Sequence, residues 1–218
     1  MSLAPISRRM VLAGLASVTA IMLVPAAAFA LSDEERTVLG EISAKLGGIA
    51  TMNGEFVQFD PNGTQRQGNF YIARPGRVRF QYDAPTTLSV IADGKSVLVF
   101  DKKLQTYDIW PLSQTPLRLL LDKSLDLATS EKVTRVSVAA DLVEVELQDE
   151  TKFSSGTLNL VFDRATYGLR QWTVTDQQGL QTMVALYNVE TGNKLSADLF
   201  KIDYNAATNA AREKTKRN

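Results

Sequence analysis

Two of the side chains that carry most enzymatic chemistry, imidazole and thiol, do not occur: the 218 residues contain no His and no Cys. Their absence removes the Ser-His-Asp triad, the thiolate nucleophile, Cys/His zinc sites, thiol redox chemistry and disulfides. Chemistry on carboxylates, amines and oxygen ligands survives that cut: paired-carboxylate glycosidase action, Lys-based catalysis, and Mg²⁺ or Ca²⁺ binding. Spacing supports none of these. Asp93-Gly94 reads as a turn rather than a metal ligand, because no second carboxylate stands at ligand spacing around it. Glu144 and Glu146 alternate with Val143 and Val145, the pattern of a solvated strand face. No two acidic residues are spaced to face one cleft, and there is no P-loop. The residues predict a protein that is not an enzyme and needs no cofactor or metal. With 24 Lys+Arg against 24 Asp+Glu, they also give no reason to expect nucleic acid as a partner.

The first thirty residues read as an address. Ser7-Arg8-Arg9 is a basic n-region, residues 10–24 form an apolar h-region, and Ala28-Phe29-Ala30 is an Ala-x-Ala cleavage signal. The Arg pair resembles a twin-arginine signal, although Val11 stands where Phe is usual, so Sec and Tat export both stay open. No Cys follows the cleavage point, so the mature chain cannot itself be acylated there. Cleavage leaves 188 residues, enough for one domain with one core. The expected division is a signal over 1–30, a carrier-sized domain over 31–205, and a basic, disordered tail over 206–218 containing Arg212, Lys214, Lys216 and Arg217.

The mature chain opens with a helix. Ser32 and Glu35 form a capping box, Asp33 and Glu34 suit the helix dipole, and Val38, Leu39, Ile42, Leu46 and Ile49 make one apolar stripe that Gly47-Gly48 should end. From Gly54 the period falls to two. Short β-rich runs follow one another, Phe70 with Ile72, then Val78, Phe80 and Tyr82, then Leu88 with Val90, and so on to a last short strand expected near residues 200–202. Turn signals such as Pro75-Gly76, Asp93-Gly94 and Gln178-Gly179 separate them, as antiparallel hairpins require. About ten or eleven strands result. A second helical segment, with Thr115 as cap, Pro116 in the first turn and Leu117, Leu119, Leu120 and Leu121 following, asks for burial on most sides. Two architectures fit so far: a solid β-sandwich with outer helices, or a curved sheet whose interior is lidded by them.

Three strings decide between these. Residues 68–82, Gly-Asn-Phe-Tyr-Ile-Ala-Arg-Pro-Gly-Arg-Val-Arg-Phe-Gln-Tyr, resemble the signature of the LolA-type outer-membrane lipoprotein carriers, in which a strand ends in Arg-Pro and the next begins with basic and aromatic residues. Residues 92–101 resemble that family's next hairpin, and residues 107–121 its central helix. The resemblance spans most of the mature chain and is strongest from Gly54 to Leu121. It implies a mainly β (α+β) fold: a curved antiparallel, incomplete β-barrel of about 11 strands with a short helical lid enclosing an apolar cavity. It further implies a monomeric periplasmic carrier of acylated lipoproteins, loaded by an inner-membrane ABC transporter and relieved by an outer-membrane acceptor. A periplasmic binding or sensor protein for another acylated envelope lipid is the alternative.

The resemblance also assigns residues. Phe70, Ile72, Val78, Phe80, Tyr82, Leu88 and Val90 are the expected cavity wall, while Val38, Leu39, Ile42, Leu46, Leu117, Leu119 and Leu120 form the lid. Arg74 shares a face with Phe70 and Ile72 by alternation, which aims its guanidinium at the rim, where helix-end carbonyls lack partners. In the family an arginine at this position latches the lid.

Overall fold

The structure, a computed structural model, describes residues 31–148 and 156–209. The expected export signal and residues 210–218 of the expected tail lie outside the described residues. Helix α1, Asp33–Gly48, begins on the capping box: the Glu35 N–H donates to Ser32 Oγ, and the Ser32 N–H donates to Glu35 Oε2 at 2.7 Å. It ends after the two glycines, with Ile49 as C-cap.

Eleven strands follow: β1 Thr51–Phe59, β2 Gln65–Ala73, β3 Arg77–Tyr82, β4 Leu88–Asp93, β5 Ser96–Asp101, β6 Thr106–Pro111, β7 Val133–Val138, β8 Leu142–Gln148, β9 Thr157–Asp163, β10 Leu169–Thr175 and β11 Gln181–Thr191. Between β6 and β7 lie a 3₁₀ turn, Leu112–Gln114, and helix α2, Leu117–Leu121. All neighbours are antiparallel hairpins except β1 and β11, which join the two ends of the chain at the middle of the order β6-β5-β4-β3-β2-β1-β11-β10-β9-β8-β7. The sheet is curved and unclosed, because β6 and β7 stand at opposite edges.

Bulges add local twist and bend where they occur, at Asn53/Glu55 in the β1–β11 pair, at Leu169/Gln171 in β9–β10 and at Val133/Arg135 in β7–β8. The first depends on backbone detail from both strands. Asn188 takes φ +49°, and a Cβ on Gly54 would lie 2.7 Å from the Tyr187 carbonyl oxygen and 2.9 Å from that of Asn188. Only glycine lets the strands approach so closely.

Two sequence expectations are corrected. No strand forms at residues 200–202. Ala197–Phe200 is a 3₁₀ turn capped by Ser196, whose hydroxyl accepts the Asp198 N–H at 3.3 Å. Phe200 is buried because it packs on the outer face of β3 and β4, with the Arg77 guanidinium 5.4 Å above its ring and Arg79 Nη1 donating to the Leu199 carbonyl at 3.3 Å. Apolar residues two apart thus reflect docking on a sheet rather than a ladder. Thr115 does not cap α2 either: its hydroxyl donates to the Leu112 carbonyl at 2.9 Å, and Pro116 takes the N-cap position without a side-chain bond.

Candidate functional site

Cross-strand register defines one concave apolar face. Met52 pairs with Ile72 and Ile72 with Val78, while Phe70 pairs with Phe80 and Phe80 with Val90, so alternate residues of β1 to β4 point the same way. The aromatics interlock at the centre. The Phe56 ring meets Phe80 edge-on at 5.0 Å and Tyr82 edge-on at 5.1 Å, and Phe80 lies 5.9 Å from Trp172. Burial pushes the Tyr82 phenol up to about 12, against the opposing charge of Arg66, and its hydroxyl donates to Gln58 Oε1 at 2.7 Å.

Of the wall residues expected from sequence, Phe70, Ile72, Val78 and Phe80 are buried in the main apolar cluster, and Tyr82 and Val90 are half-buried against it. Leu88 is half-buried at the start of β4, outside that cluster. Val38, Leu39, Ile42, Leu46, Leu119 and Leu120 are buried in the same cluster, with Leu117 packed at its margin. The other half of this buried cluster was not singled out from sequence. Val143, Val145 and Leu147 on β8, and Leu158, Leu160 and Phe162 on β9, are all fully buried on this face. Their strict alternation in the sequence is the signal that could have found them.

Apart from Leu88, the residues expected as wall and as lid pack together in or against one continuous buried cluster. At its rim sits Arg74, 7% exposed and the one buried charged side chain among the described residues. Its Nε donates to the Ile49 carbonyl at 3.1 Å, and its Nη2 donates to the Ile49 carbonyl at 2.6 Å and to the Leu46 carbonyl. Its own N–H donates to the Ala50 carbonyl at 2.8 Å. These acceptors lie at the C-terminal end of α1, where carbonyls lack intrahelical partners and the dipole is negative. Burial pulls the guanidinium below the usual arginine value, and the nearby Asp122 carboxylate opposes that pull. An arginine stays charged under such conditions, so the bonds are charge-assisted.

The turn after Arg74 grips the other lid piece. The Gly76 N–H donates to the Leu121 carbonyl at the end of α2 at 3.1 Å. Gly76 has φ +76°, and a Cβ there would stand 2.8 Å from the Gly94 Cα, so the β2–β3 and β4–β5 turns touch only through glycine. At the far side of α1, Lys45 Nζ donates to the Thr166 carbonyl in the β9–β10 turn. Among the described residues, these hydrogen bonds tie both helices to turns of the sheet.

Comparison with known proteins gives the family. Residues 47–203 match the family described as outer membrane lipoprotein carrier protein LolA. An outer-membrane lipoprotein carrier protein from Azotobacter vinelandii is 27% identical over 210 residues, covering 88% of this chain and 98% of that protein. One of the same description from Halorhodospira halophila is 27% identical over 199 residues, covering 85% of this chain and 90% of that protein. A solved structure from Vibrio parahaemolyticus, a putative outer membrane lipoprotein-sorting protein domain, is similar at 10% identity and TM-score 0.48, covering 79% of this chain and 97% of that one. The chain belongs to the LolA outer-membrane lipoprotein carrier family.

Proposed function

We propose that this protein carries the acyl chains of lipoproteins through the periplasm, from an inner-membrane ABC transporter to an outer-membrane acceptor. The observation that supports this most is the concave apolar face under an amphipathic helix pinned at one end by a single buried cation. Each methylene exposed to water costs about 0.8 kcal/mol, so one long acyl chain resists crossing an aqueous space by on the order of 10 kcal/mol. A bowl lined by apolar side chains cancels most of that cost. The lid residues keep the same surface dry when no cargo is present, so the empty carrier does not offer a large apolar patch to other proteins.

Loading then exchanges one apolar occupant for another. Acyl chains replace Leu39, Ile42 and Leu46 against the wall, and Arg74's bonds to the carbonyls of Leu46 and Ile49 set part of the cost of lifting α1. The carrier holds no nucleotide-binding loop, so release from the donor membrane draws on the transporter.

The test is displacement from the folded protein. An apolar fluorophore should bind the mature protein, and a diacylated lipopeptide should displace it while the same peptide without acyl chains does not. Absence of fluorophore binding below the aggregation threshold would contradict the proposal, as would equal displacement by the two peptides.

A further inference from the structure

The lid consists of two pieces far apart in sequence: α1, and the stretch from α2 through residue 128. They share the apolar cluster, and a Ser43 side-chain hydrogen bond also joins them. Ser43, on α1 beside Ile42, donates its hydroxyl to the Leu39 carbonyl at 2.7 Å and accepts the Leu127 N–H at 2.8 Å. Leu127 is fully buried in the cluster shared by wall and lid. The loop that carries it holds bonds of its own: the Asp122 carboxylate accepts the Ser124 N–H at 2.8 Å, the Asp126 carboxylate accepts the Ala128 N–H at 2.9 Å, and the Ser130 N–H donates to the Asp126 carbonyl at 2.9 Å. Such a loop can move as a unit with whatever holds Leu127.

We propose that Ser43 is a positioning residue that makes the two lid pieces open cooperatively. The proposal rests on the carrier reading. The turn at 74–76 grips both pieces, α1 through Arg74 and α2 through the Gly76 N–H, and Ser43 completes the third side of a triangle by tying α1 to the α2–β7 connection. The reason is energetic. If α1 lifted alone, Leu119, Leu120, Leu121 and Leu127 would stay in the bowl, and cargo would have to displace them in a second step. With Ser43 bonded to Leu127, movement of α1 withdraws the plug as well, and the wall is cleared in one transition.

Amide hydrogen exchange on the unliganded full chain tests this through a double-mutant cycle. Ser43→Ala removes the acceptor while keeping a strong helix former in α1, so α1 itself should stay protected. The Leu127 amide should exchange about two- to tenfold faster, the range expected for one lost hydrogen bond, and Ser43→Thr should restore wild-type exchange. Arg74→Leu should speed exchange in α1 and at Leu127 together when Ser43 is present, and in α1 alone when position 43 is Ala. An equal effect of Arg74→Leu on Leu127 in both backgrounds would overturn the proposal, as would a uniform acceleration across the whole sheet on Ser43→Ala. Failure of wild type to bind an apolar fluorophore would count against the carrier reading alone, because the exchange cycle needs no cargo.

Discussion

Arg74 sits where a cation is normally expensive, and the geometry explains why it is tolerated. The carbonyls of Leu46 and Ile49 accept from it at the negative end of α1, so desolvation is offset by hydrogen bonds that the helix cannot make internally. Arg74→Leu exchanges those bonds for an apolar chain of similar reach. Stability should fall by no more than about 1.5–3 kcal/mol, the worth of a few charge-assisted bonds, because the apolar contacts of α1 persist. Delivery should suffer more than folding. The variant is expected to accept lipoprotein but to pass it on poorly, since extra apolar contact in the loaded state leaves the acceptor a smaller free-energy advantage. Transfer of a labelled lipoprotein to acceptor membranes measures this, and equal rates from equally loaded, folded proteins would reduce Arg74 to a hairpin residue.

The face of this residue was legible from alternation, but its role as a latch came only from the resemblance to the carrier family. Period two through residues 70–74 puts Arg74 on the face of Phe70 and Ile72, whereas which helix end it meets is defined by tertiary packing. Ser43 was not legible in that way. A serine on a helix has many partners available, and Leu127 lies 84 positions away in a loop whose path only tertiary packing defines.

Among the elements, the β9–β10 turn receives Lys45 of the lid, and it is organised by one carboxylate. Asp163 accepts the Thr166 hydroxyl and N–H, both at 2.7 Å, and pairs with Arg170. The Thr166 hydroxyl and then Arg170 hold its carboxyl down to about 2. Because the folded value lies below the unfolded value of about 3.9, the turn's stabilisation is complete above that higher value. It is lost as pH falls through about 2. The Asp163 carboxyl should therefore titrate near 2 by NMR, with the α1 amides near Lys45 losing protection over the same range. A midpoint near 4 would show that these bonds do not persist in solution.

Strand order followed from turn signals and alternation, because hairpins are local. The β1–β11 bulge did not, since it arises where Gly54 meets Asn188 from the other end of the chain. The misplaced strand at 200–202 has a related cause. Phe200 and Ile202 are spaced as in a strand, but the outer face of β3 and β4 already has its hydrogen bonds satisfied within the sheet and offers them only a packing surface.

For the whole molecule, one curved, unclosed sheet of eleven strands, rather than two separate layers, carries the core. Residues of α1, α2 and ten of the eleven strands, β1 to β5 and β7 to β11, share one buried apolar cluster; the β6 edge instead leaves Trp110 46% exposed. On the proposed carrier function, acyl chains must displace the α1 side chains that pack against the sheet. The decisive measurement is hydrogen exchange across α1 as the protein is titrated with a diacylated lipopeptide, alongside native mass spectrometry of the complex. The proposed carrier function predicts a soluble complex in which α1 amides from Val38 to Leu46 lose protection while β8 and β9 keep theirs. A complex that forms with α1 as protected as in the free protein would contradict it.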